Sequence, residues 1–338
     1  MADDQAEIDG ANRAFNIRPL QLPPGQTVPF VVQQGPHGDQ CTATAVIPRG
    51  HRILQERAFF KVKPNSTGNV TDRSITNAIR EIQQTPRFWQ FQALSTGFLP
   101  NPTDRDRFKI NNILMEEEGD TRKGPYSQGI FLRASKFNHS CLPNGHMVYN
   151  KSKKAVTIHA VREIDIGEEI RVNYKTTETL ATIWQRQSVL ELEYDFLCDC
   201  VVCSPGTGLQ RDFSTASEER RPEMAQLQST LDKIFDMAQK DHRVWQVTDA
   251  SKHALRFIKL ANEEGFHYSH LAFADEILAL DWKDKRDRHF KVAGATDFTR
   301  HANGQALSYA REALAWNLIT SGEDSAVTRR VLQTLDKL

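Results

Sequence analysis

The cysteines are the most constraining feature of the chain, because three of the five fall within six residues, at Cys198, Cys200 and Cys203. The first ten residues, MADDQAEIDG, are acidic and polar and lack the basic and apolar regions of a secretory signal. We therefore predict an intracellular protein, in the cytoplasm or the nucleus, whose cysteines stay reduced. In that environment a tight cysteine cluster favours a metal site over disulfide bonds.

Zinc is the metal that such a cluster suits. Structural zinc sites hold four nitrogen or sulfur ligands in a tetrahedron, and a Cys-x-Cys-x-x-Cys string supplies three thiolates from one turn. The fourth ligand has to come from elsewhere in the chain, and Cys141, Cys41 and several histidines are candidates. The alternative is a group of three reduced, buried cysteines without a metal.

The length and charge of the chain limit its architecture and its partners. Its 338 residues predict about two domains, and its 18 Phe and 5 Trp exclude disorder over the whole chain. The 43 basic and 43 acidic residues cancel, so a general nucleic-acid binder, which would carry a basic excess, is not expected. No apolar stretch approaches the roughly 18 residues of a membrane-spanning helix, so no membrane segment is expected either.

Changes in hydrophobic spacing divide the chain into three parts. Residues 1–25 are mostly polar and end in a Pro-Pro-Gly turn, which predicts a flexible segment. Residues 26–206 contain short strand patterns with a helical insert at about 66–117, and residues 215–338 show the apolar spacing of helices. The predicted fold class is therefore α+β, a β-rich domain followed by an all-α, TPR-like C-terminal domain, although no clean repeat period is present.

The β-rich part combines several predicted strands with short helices. A hairpin joins 147–149 to 155–161 around a turn at 150–153. Further strands are predicted at 30–32, 43–47, 52–54 and 169–174, and helices at 72–94, 108–117 and 177–192.

Three strings in the β-rich part carry side chains that could take part in binding or catalysis. The string SKFNHSCLPN at 135–144 places amide, imidazole and thiol groups within seven residues. The string GEEIRVNY at 167–174 alternates like a strand that ends in a tyrosine, and FLCDCVVC at 196–203 holds the cysteine cluster. The first string alone would fit a turn, but a turn does not account for all three together. Glu168 and Glu169 are adjacent strand residues that face opposite ways, so we expect structural roles for them.

In this order and spacing, the three strings resemble the SET-domain protein lysine methyltransferases, most of all the fungal and SMYD-like branch with a post-SET cysteine cluster. The strings AVREIDIGEEI at 160–170 and IPRG at 47–50, with Glu56 beyond it, are also similar to that family. The resemblance covers roughly residues 28–206, and the helical tail resembles the family's C-terminal domain much less specifically. It implies a SET fold and transfer of a methyl group from S-adenosylmethionine to a lysine of a protein substrate.

The resemblance also implies roles for single residues. Tyr174 would line the methyl-transfer channel and orient the amine. Asn138 and His139 would hold the cofactor, and Phe196 would pack beside its adenine. The fourth ligand of a structural Zn2+ site would be Cys141, which joins Cys198, Cys200 and Cys203. Without the resemblance, the tyrosine, the histidine and the phenylalanine would be ordinary core residues.

One departure from the family pattern concerns the turn at which the backbone approaches the cofactor. The family usually has Gly-x-Gly there, and the matching stretch is PHGDQCTA at 36–43. Gly38 remains and would be a cofactor-binding residue, but Gln40 replaces the second glycine. A side chain there would crowd the cofactor or change the backbone conformation. A second hypothesis therefore stays open, in which a SET-fold protein without this activity acts on a small molecule or is a binding or scaffold module with a partner docked on its helical C-terminal domain.

Overall fold

The structure is a computed structural model that describes residues 2–15, 20–22, 24–36, 38–97, 99–116, 126–175, 179–204, 206 and 209–338. It divides into two compact units. The first, which we call the helical unit, contains Met1–Ile17, Leu180–Thr182 and Thr207–Leu338, and the second, the β unit, contains Arg18–Thr179 and Ile183–Gly206. The chain therefore starts in the helical unit, passes through the β unit and returns to the helical unit.

The described residues of the β unit form four small sheets. Strands β1 (Phe30–Gly35) and β2 (Gly38–Ala43) make an antiparallel hairpin. One three-stranded antiparallel sheet has the order β3 (Arg52–Glu56), β9 (Ala155–Ala160) and β8 (Gly145–Asn150), and the other has the order β4 (Phe60–Val62), β6 (Gln128–Ile130) and β5 (Asn112–Leu114). Strands β7 (Asn138–His139) and β10 (Arg171–Val172) form a parallel pair.

The central strand β9 organises the core of the β unit. The predicted hairpin is confirmed, with Gly145 opposite Ala160 and Asn150 opposite Ala155. Every residue of β9 is buried: β3 and β8 flank it on both edges, and Val156, Ile158 and Ala160 on one face belong to the apolar core. The same core cluster includes Ile170 and Val172, so the parallel pair of β7 and β10 has a rigid base.

The predicted strand at 43–47 is wrong. Strand β2 ends at Ala43, and the chain leaves the hairpin after Thr44. The Thr44 N–H donates to the Pro29 carbonyl at 2.9 Å, whereas Ile47 forms an isolated bridge with Ile164. The ladder of β1 does not continue past Ala43, so residues 43–47 do not form one strand, although Ala45 and Ile47 are buried.

The insert contains three short helices, α2 (Asp72–Gln83), α3 (Phe88–Gln92) and α4 (Asp104–Asn111). Its core includes Ile75, Phe91 and Phe108. The helix predicted at 108–117 is displaced, because Thr103 and Asp106 form a capping box that starts α4 at Asp104. Residues 112–114 then form β5 instead of continuing the helix.

The all-helical C-terminal region is confirmed. The helical unit contains α6 (Leu209–Ala238), α7 (Val244–Val247), α8 (Ala250–Glu264), α9 (Ser269–Ala293), α10 (Asp297–Ser321) and α11 (Ala326–Leu335). Gly265 ends α8 with a left-handed φ of 66°, a conformation that glycine adopts at little cost. Helix α5 (Ile183–Tyr194) belongs to the β unit. The TPR-like arrangement stays a prediction.

The N-terminal segment differs from the flexible segment predicted for residues 1–25. Residues Ala2–Ala14 form helix α1, which packs in the helical unit against α10. Ile8 and Ala11 are buried there, and Glu7 pairs with Arg311 of α10 at 2.9 Å. In the part of the chain that the structure describes, no helix has the length and apolar character needed to cross a membrane.

Candidate functional site

The parallel pair of β7 and β10 brings two of the chemical strings together. Asn138 lies opposite Arg171, and His139 lies opposite Val172. The pairing continues beyond the strands, because the Ser140 N–H donates to the Val172 carbonyl at 2.9 Å. Residues far apart in the sequence therefore lie side by side in the β unit.

Glu169 holds the side chain of Asn138 in place. The Asn138 Nδ2 donates to Glu169 Oε1 at 2.8 Å, and Arg171 Nε donates to Glu169 Oε2 at 2.7 Å. Arg171 also contacts Asp199 at 3.2 Å. Both carboxylate oxygens of Glu169 are engaged, so this residue positions its neighbours, as the expected structural role requires.

Glu168 faces a different set of partners. Its carboxylate accepts hydrogen bonds from Arg162 and from Asn144 Nδ2. Burial opposes ionisation, but these hydrogen bonds outweigh it and lower the pKa of Glu168. The two adjacent acids thus belong to separate networks and do not form a catalytic carboxylate pair.

His139 is buried, and both of its ring nitrogens have partners. Nδ1 accepts a hydrogen bond from the backbone N–H of Tyr174 at 3.1 Å, and Nε2 lies 3.3 Å from Cys141 Sγ. Because Nδ1 accepts, the proton of the neutral ring is assigned to Nε2. His139 therefore lies between the tyrosine and the cysteine cluster.

Tyr174 lies at the centre of the site. Its hydroxyl donates to the Phe137 carbonyl at 2.8 Å. Burial, reinforced by the nearby Tyr194, raises the pKa of the Tyr174 hydroxyl above its usual value. The phenol is therefore neutral at physiological pH and can orient a polar group by hydrogen bonding, but it is not a base.

The ring of Tyr174 packs with three other rings, and we call the four the ring cluster: His139, Tyr174, Tyr194 and Phe196. The ring centroids of Tyr174 and Tyr194 are 5.0 Å apart, and those of His139 and Tyr174 are 5.2 Å apart. Phe196 is half-buried, 6.0 Å from His139 and 6.3 Å from Tyr174. The sequence reasoning missed Tyr194, whose one local signal is its position two residues before Phe196.

The four predicted metal ligands come together. Cys141, Cys198, Cys200 and Cys203 are all buried, and their sulfurs lie within 4.8 Å of one another. The Cys141 sulfur is 4.0 Å from that of Cys198 and 3.5 Å from that of Cys203. Four sulfurs at about 2.3 Å from a tetrahedral zinc ion are about 3.8 Å apart, so this spacing fits such a site.

Neighbouring groups support the cluster as a site for thiolates. Arg186 is buried and places its guanidinium 3.6 Å from Cys203 Sγ. Gln187 of α5 holds the loop through both its amide atoms, which pair with the backbone N–H and carbonyl of Cys198 at 2.7 and 2.8 Å. Cys41, the other candidate for the fourth ligand, lies in β2 outside the cluster.

The β1–β2 hairpin pairs with the second chemical string. The Ile170 N–H donates to the Cys41 carbonyl at 2.8 Å, and the Ala43 N–H donates to the Glu168 carbonyl at 2.9 Å. Gly38 starts β2 with a φ of 93°, which favours glycine.

Gln40 has an ordinary strand conformation, so the replacement of glycine does not change the backbone at this position. Its side chain lies over Gly35, where an added Cβ would be 1.9 Å from Gln40 Oε1. The Gln40 Nε2 is 3.3 Å from Thr42 Oγ1. The glutamine side chain therefore packs along its own hairpin.

Residues 38–175 match the sequence profile of the SET domain family. This part of the β unit is therefore a SET domain. The match begins at Gly38 and ends directly after Tyr174, so it includes the hairpin strand β2, both paired strands and the ring of Tyr174. Phe196 and three of the four clustered cysteines follow the SET domain.

Two curated relatives are similar to parts of the chain. The chain is 30% identical over 193 residues to histone-lysine N-methyltransferase set5 of Schizosaccharomyces pombe, which covers 57% of this chain and 54% of that protein. It is 32% identical over 139 residues to histone-lysine N-methyltransferase SMYD3 of Homo sapiens, with 41% and 28% covered. The chain thus spans about half or less of the length of these relatives.

A solved structure of Rubisco LSMT bound to AdoMet aligns with 99% of this chain and 93% of that chain. The TM-score is 0.36 and the identity is 12%. At that level the alignment carries no weight beside the SET domain match.

Proposed function

We propose that this protein is an S-adenosylmethionine-dependent protein-lysine N-methyltransferase with a structural zinc site, acting inside the cell. The observation that carries the proposal is the convergence of Asn138 and His139 of β7 with Tyr174, which follows β10, next to four clustered cysteines. The names of the two curated relatives support the same reaction.

The residues of the site fit the cofactor by chemical type. S-adenosylmethionine, when bound, supplies a methyl group on a positively charged sulfur. Aromatic faces attract cations, and the ring cluster offers several such faces. Phe196, which is half-buried, would pack against the adenine, while Gly38, Asn138 and His139 would contact the rest of the cofactor through backbone and amide groups. The acceptor would be a protein substrate that presents a lysine.

Tyr174 would orient the lysine amine. Lysine has a reference pKa of about 10.4, so the amine must lose a proton before it can act as a nucleophile. A dry site that already holds a positive charge lowers the pKa of that amine. The neutral phenol, itself held by the Phe137 carbonyl, would align the amine, a contribution that depends on position rather than basicity.

The cysteine cluster would hold Zn2+ as a structural ion. One ligand, Cys141, follows β7, and the other three follow α5. The ion would therefore join these two parts of the β unit. The guanidinium of Arg186 beside Cys203 would offset part of the negative charge that four thiolates leave on the site.

The alternative proposal, a SET-fold binding module or small-molecule enzyme, rests on Gln40. If the Gln40 side chain keeps its place over Gly35, the substitution Gln40→Gly will change the affinity for S-adenosylmethionine by much less than tenfold, which corresponds to about 1.4 kcal/mol. A tenfold gain, measured by calorimetry, would favour the alternative. A partner docked on the helical C-terminal domain belongs to that alternative, and pull-down with the full chain tests it.

The substitution Tyr174→Phe tests the catalytic assignment. We expect methyl transfer to core histones or another lysine-bearing protein to fall about 100-fold or more, as when one preorganised hydrogen-bonding group is removed from an active site. The affinity for S-adenosylmethionine, expected to be micromolar or about −8 kcal/mol, should change little. Tyr149→Phe, in the same unit but in β8, is the matched control. Full activity of Tyr174→Phe would refute the assignment.

The substitution Cys200→Ser tests the metal site. We expect the wild-type protein, purified with a reductant, to contain one zinc per chain and the variant to lose it, because a site with three thiolates binds zinc more weakly. Cys41→Ser makes the same change at a buried cysteine outside the cluster and should keep the zinc. Metal analysis distinguishes the two, and zinc-free wild-type protein would contradict the proposal.

A further inference from the structure

His139 joins two parts of the proposed site that have separate tasks. One ring nitrogen accepts the Tyr174 N–H at 3.1 Å, and the other lies 3.3 Å from Cys141 Sγ. The ring is buried, with 6% of its surface exposed, and it packs against Tyr174 and Phe196. A ring held this tightly cannot lose one of its two contacts without moving in relation to the other.

We propose that His139 is a positioning residue that couples the occupancy of the cysteine cluster to the position of Tyr174. With four thiolates gathered around a metal, Cys141 Sγ is fixed, and its contact with Nε2 fixes the imidazole. The imidazole then holds the Tyr174 N–H through Nδ1, which sets where β10 ends and where the phenol points. This proposal rests on the proposed function of Tyr174 and of the zinc site.

The geometry favours coupling through His139 over a purely structural role for this residue. Cys141 is two residues from His139 in the sequence, whereas Tyr174 lies two residues beyond β10, the other strand of the parallel pair. The three groups therefore form a chain of contacts across the pair, from sulfur to imidazole to backbone amide. The hydroxyl of Tyr174 is held by the carbonyl of Phe137, which is also two residues from His139, so a shift in the segment 137–141 reaches the tyrosine at both of its polar ends.

Two substitutions each retain one of the two contacts of His139. In His139→Asn, the side-chain oxygen can take the place of Nδ1 and still accept the Tyr174 N–H, but the side chain is too short to reach Cys141. In His139→Gln, the amide nitrogen can take the place of Nε2 and still donate to Cys141 Sγ, but the acceptor for Tyr174 is lost. The proposal therefore predicts opposite results for the two variants.

The experiment uses the full chain labelled with 15N-tyrosine, whose six tyrosines give six amide signals. The signal of Tyr174 is identified by its loss in Tyr174→Phe. We expect removal of zinc with a chelator to shift the Tyr174 signal of the wild-type protein more than those of Tyr149, Tyr268 and Tyr309. In His139→Asn the zinc-dependent shift should disappear. In His139→Gln the Tyr174 signal should already be displaced while one zinc is still bound.

Two results would overturn the coupling. One is a Tyr174 signal that stays in place when zinc leaves the wild-type protein, or that shifts equally in His139→Asn. The other is an unchanged Tyr174 signal in zinc-loaded His139→Gln. Because this second measurement needs no removal of zinc, it can be made even if the zinc-free β unit unfolds. Neither readout depends on methyl transfer, so a protein without methyltransferase activity would refute the proposed function and leave the test of the coupling intact.

Discussion

Asp275 is a carboxylic acid in a buried position, where a negative charge is costly. It lies on α9 with 2% of its surface exposed, and among the described residues its Oδ1 has no hydrogen-bond partner. Burial, with a further contribution from the neighbouring Glu312, raises the pKa of Asp275 well above its usual value. The folded state therefore binds a proton at this site more tightly than the unfolded state does.

This difference predicts how stability depends on pH. Stability falls as pH rises from the unfolded pKa, about 3.9, through the higher folded pKa, because the folded state must then give up its proton or bury a charge. We expect Asp275→Asn to raise the Tm at pH 8 by about 2–4 °C for each 1 kcal/mol gained and to have a smaller effect near pH 4. Thermal melts across this range measure it. Asp236→Asn, at an exposed position on α6, should change the Tm little at any pH, and equal effects of both substitutions would contradict the argument.

The β1–β2 hairpin is the element in which the sequence departs from its family. Gln40 and Gly35 lie on the same face of the hairpin, since Gln33 pairs with Gln40 and Gly35 pairs with Gly38. The glutamine side chain occupies the space that any side chain at Gly35 would need. The two positions are therefore coupled, and the small residue at one accommodates the large residue at the other.

A double-mutant cycle measures this coupling. We expect Gly35→Ala to stabilise the Gln40→Ala background by about 0.4–1 kcal/mol, because alanine restricts the unfolded chain and φ at Gly35 is not positive. With Gln40 present, the same substitution must displace the glutamine side chain, and the gain should vanish. Denaturant unfolding gives both values. Equal effects in the two backgrounds would show that Gln40 does not rest on Gly35 in solution.

The elements that could be predicted from sequence are those with local signals. The β8–β9 hairpin has alternating apolar residues and a turn between them, and the strings around Asn138 and Tyr174 are distinctive enough to identify without a structure. Tyr194 could not be predicted, because its contact with Tyr174 joins the end of α5 to a residue 20 positions earlier, and no local pattern encodes that contact. The end of β2 was missed because it depends on where the β1 ladder stops, next to Pro29, which has no N–H to donate, rather than on the composition of the strand.

The helical unit is assembled from both ends of the chain. Helix α1 has few apolar residues, and a lone helix of 13 residues is marginal in water. Its stability comes from contacts with distant elements, which is why sequence reasoning assigned a flexible segment. The apolar side chains that cover Ile8 and Ala11 come from α10 and α11: Ala313, Leu314, Ala315, Leu318, Val331 and Leu332.

The substitution Ile8→Ala tests this contact. We expect the helical unit to lose about 2 kcal/mol of stability, the low end for truncation of a buried isoleucine, because a helix near the end of a chain can adjust. Ile166→Ala makes the same truncation at an exposed position of the β unit and should change stability by less than about 0.5 kcal/mol. Hydrogen exchange of α1 and α10 amides reports the change, and unchanged protection of both helices would refute the contact.

The position of α1 also has a consequence during synthesis. Ribosomes make chains from the N-terminus at roughly 5–20 residues per second, and almost the whole β unit lies between α1 and its partner helix α10. Helix α1 must therefore wait tens of seconds, with Ile8 uncovered, while the β unit emerges and folds. Completion of the helical unit is consequently a late event in the life of the nascent chain, because α1 cannot be covered before α10 is made.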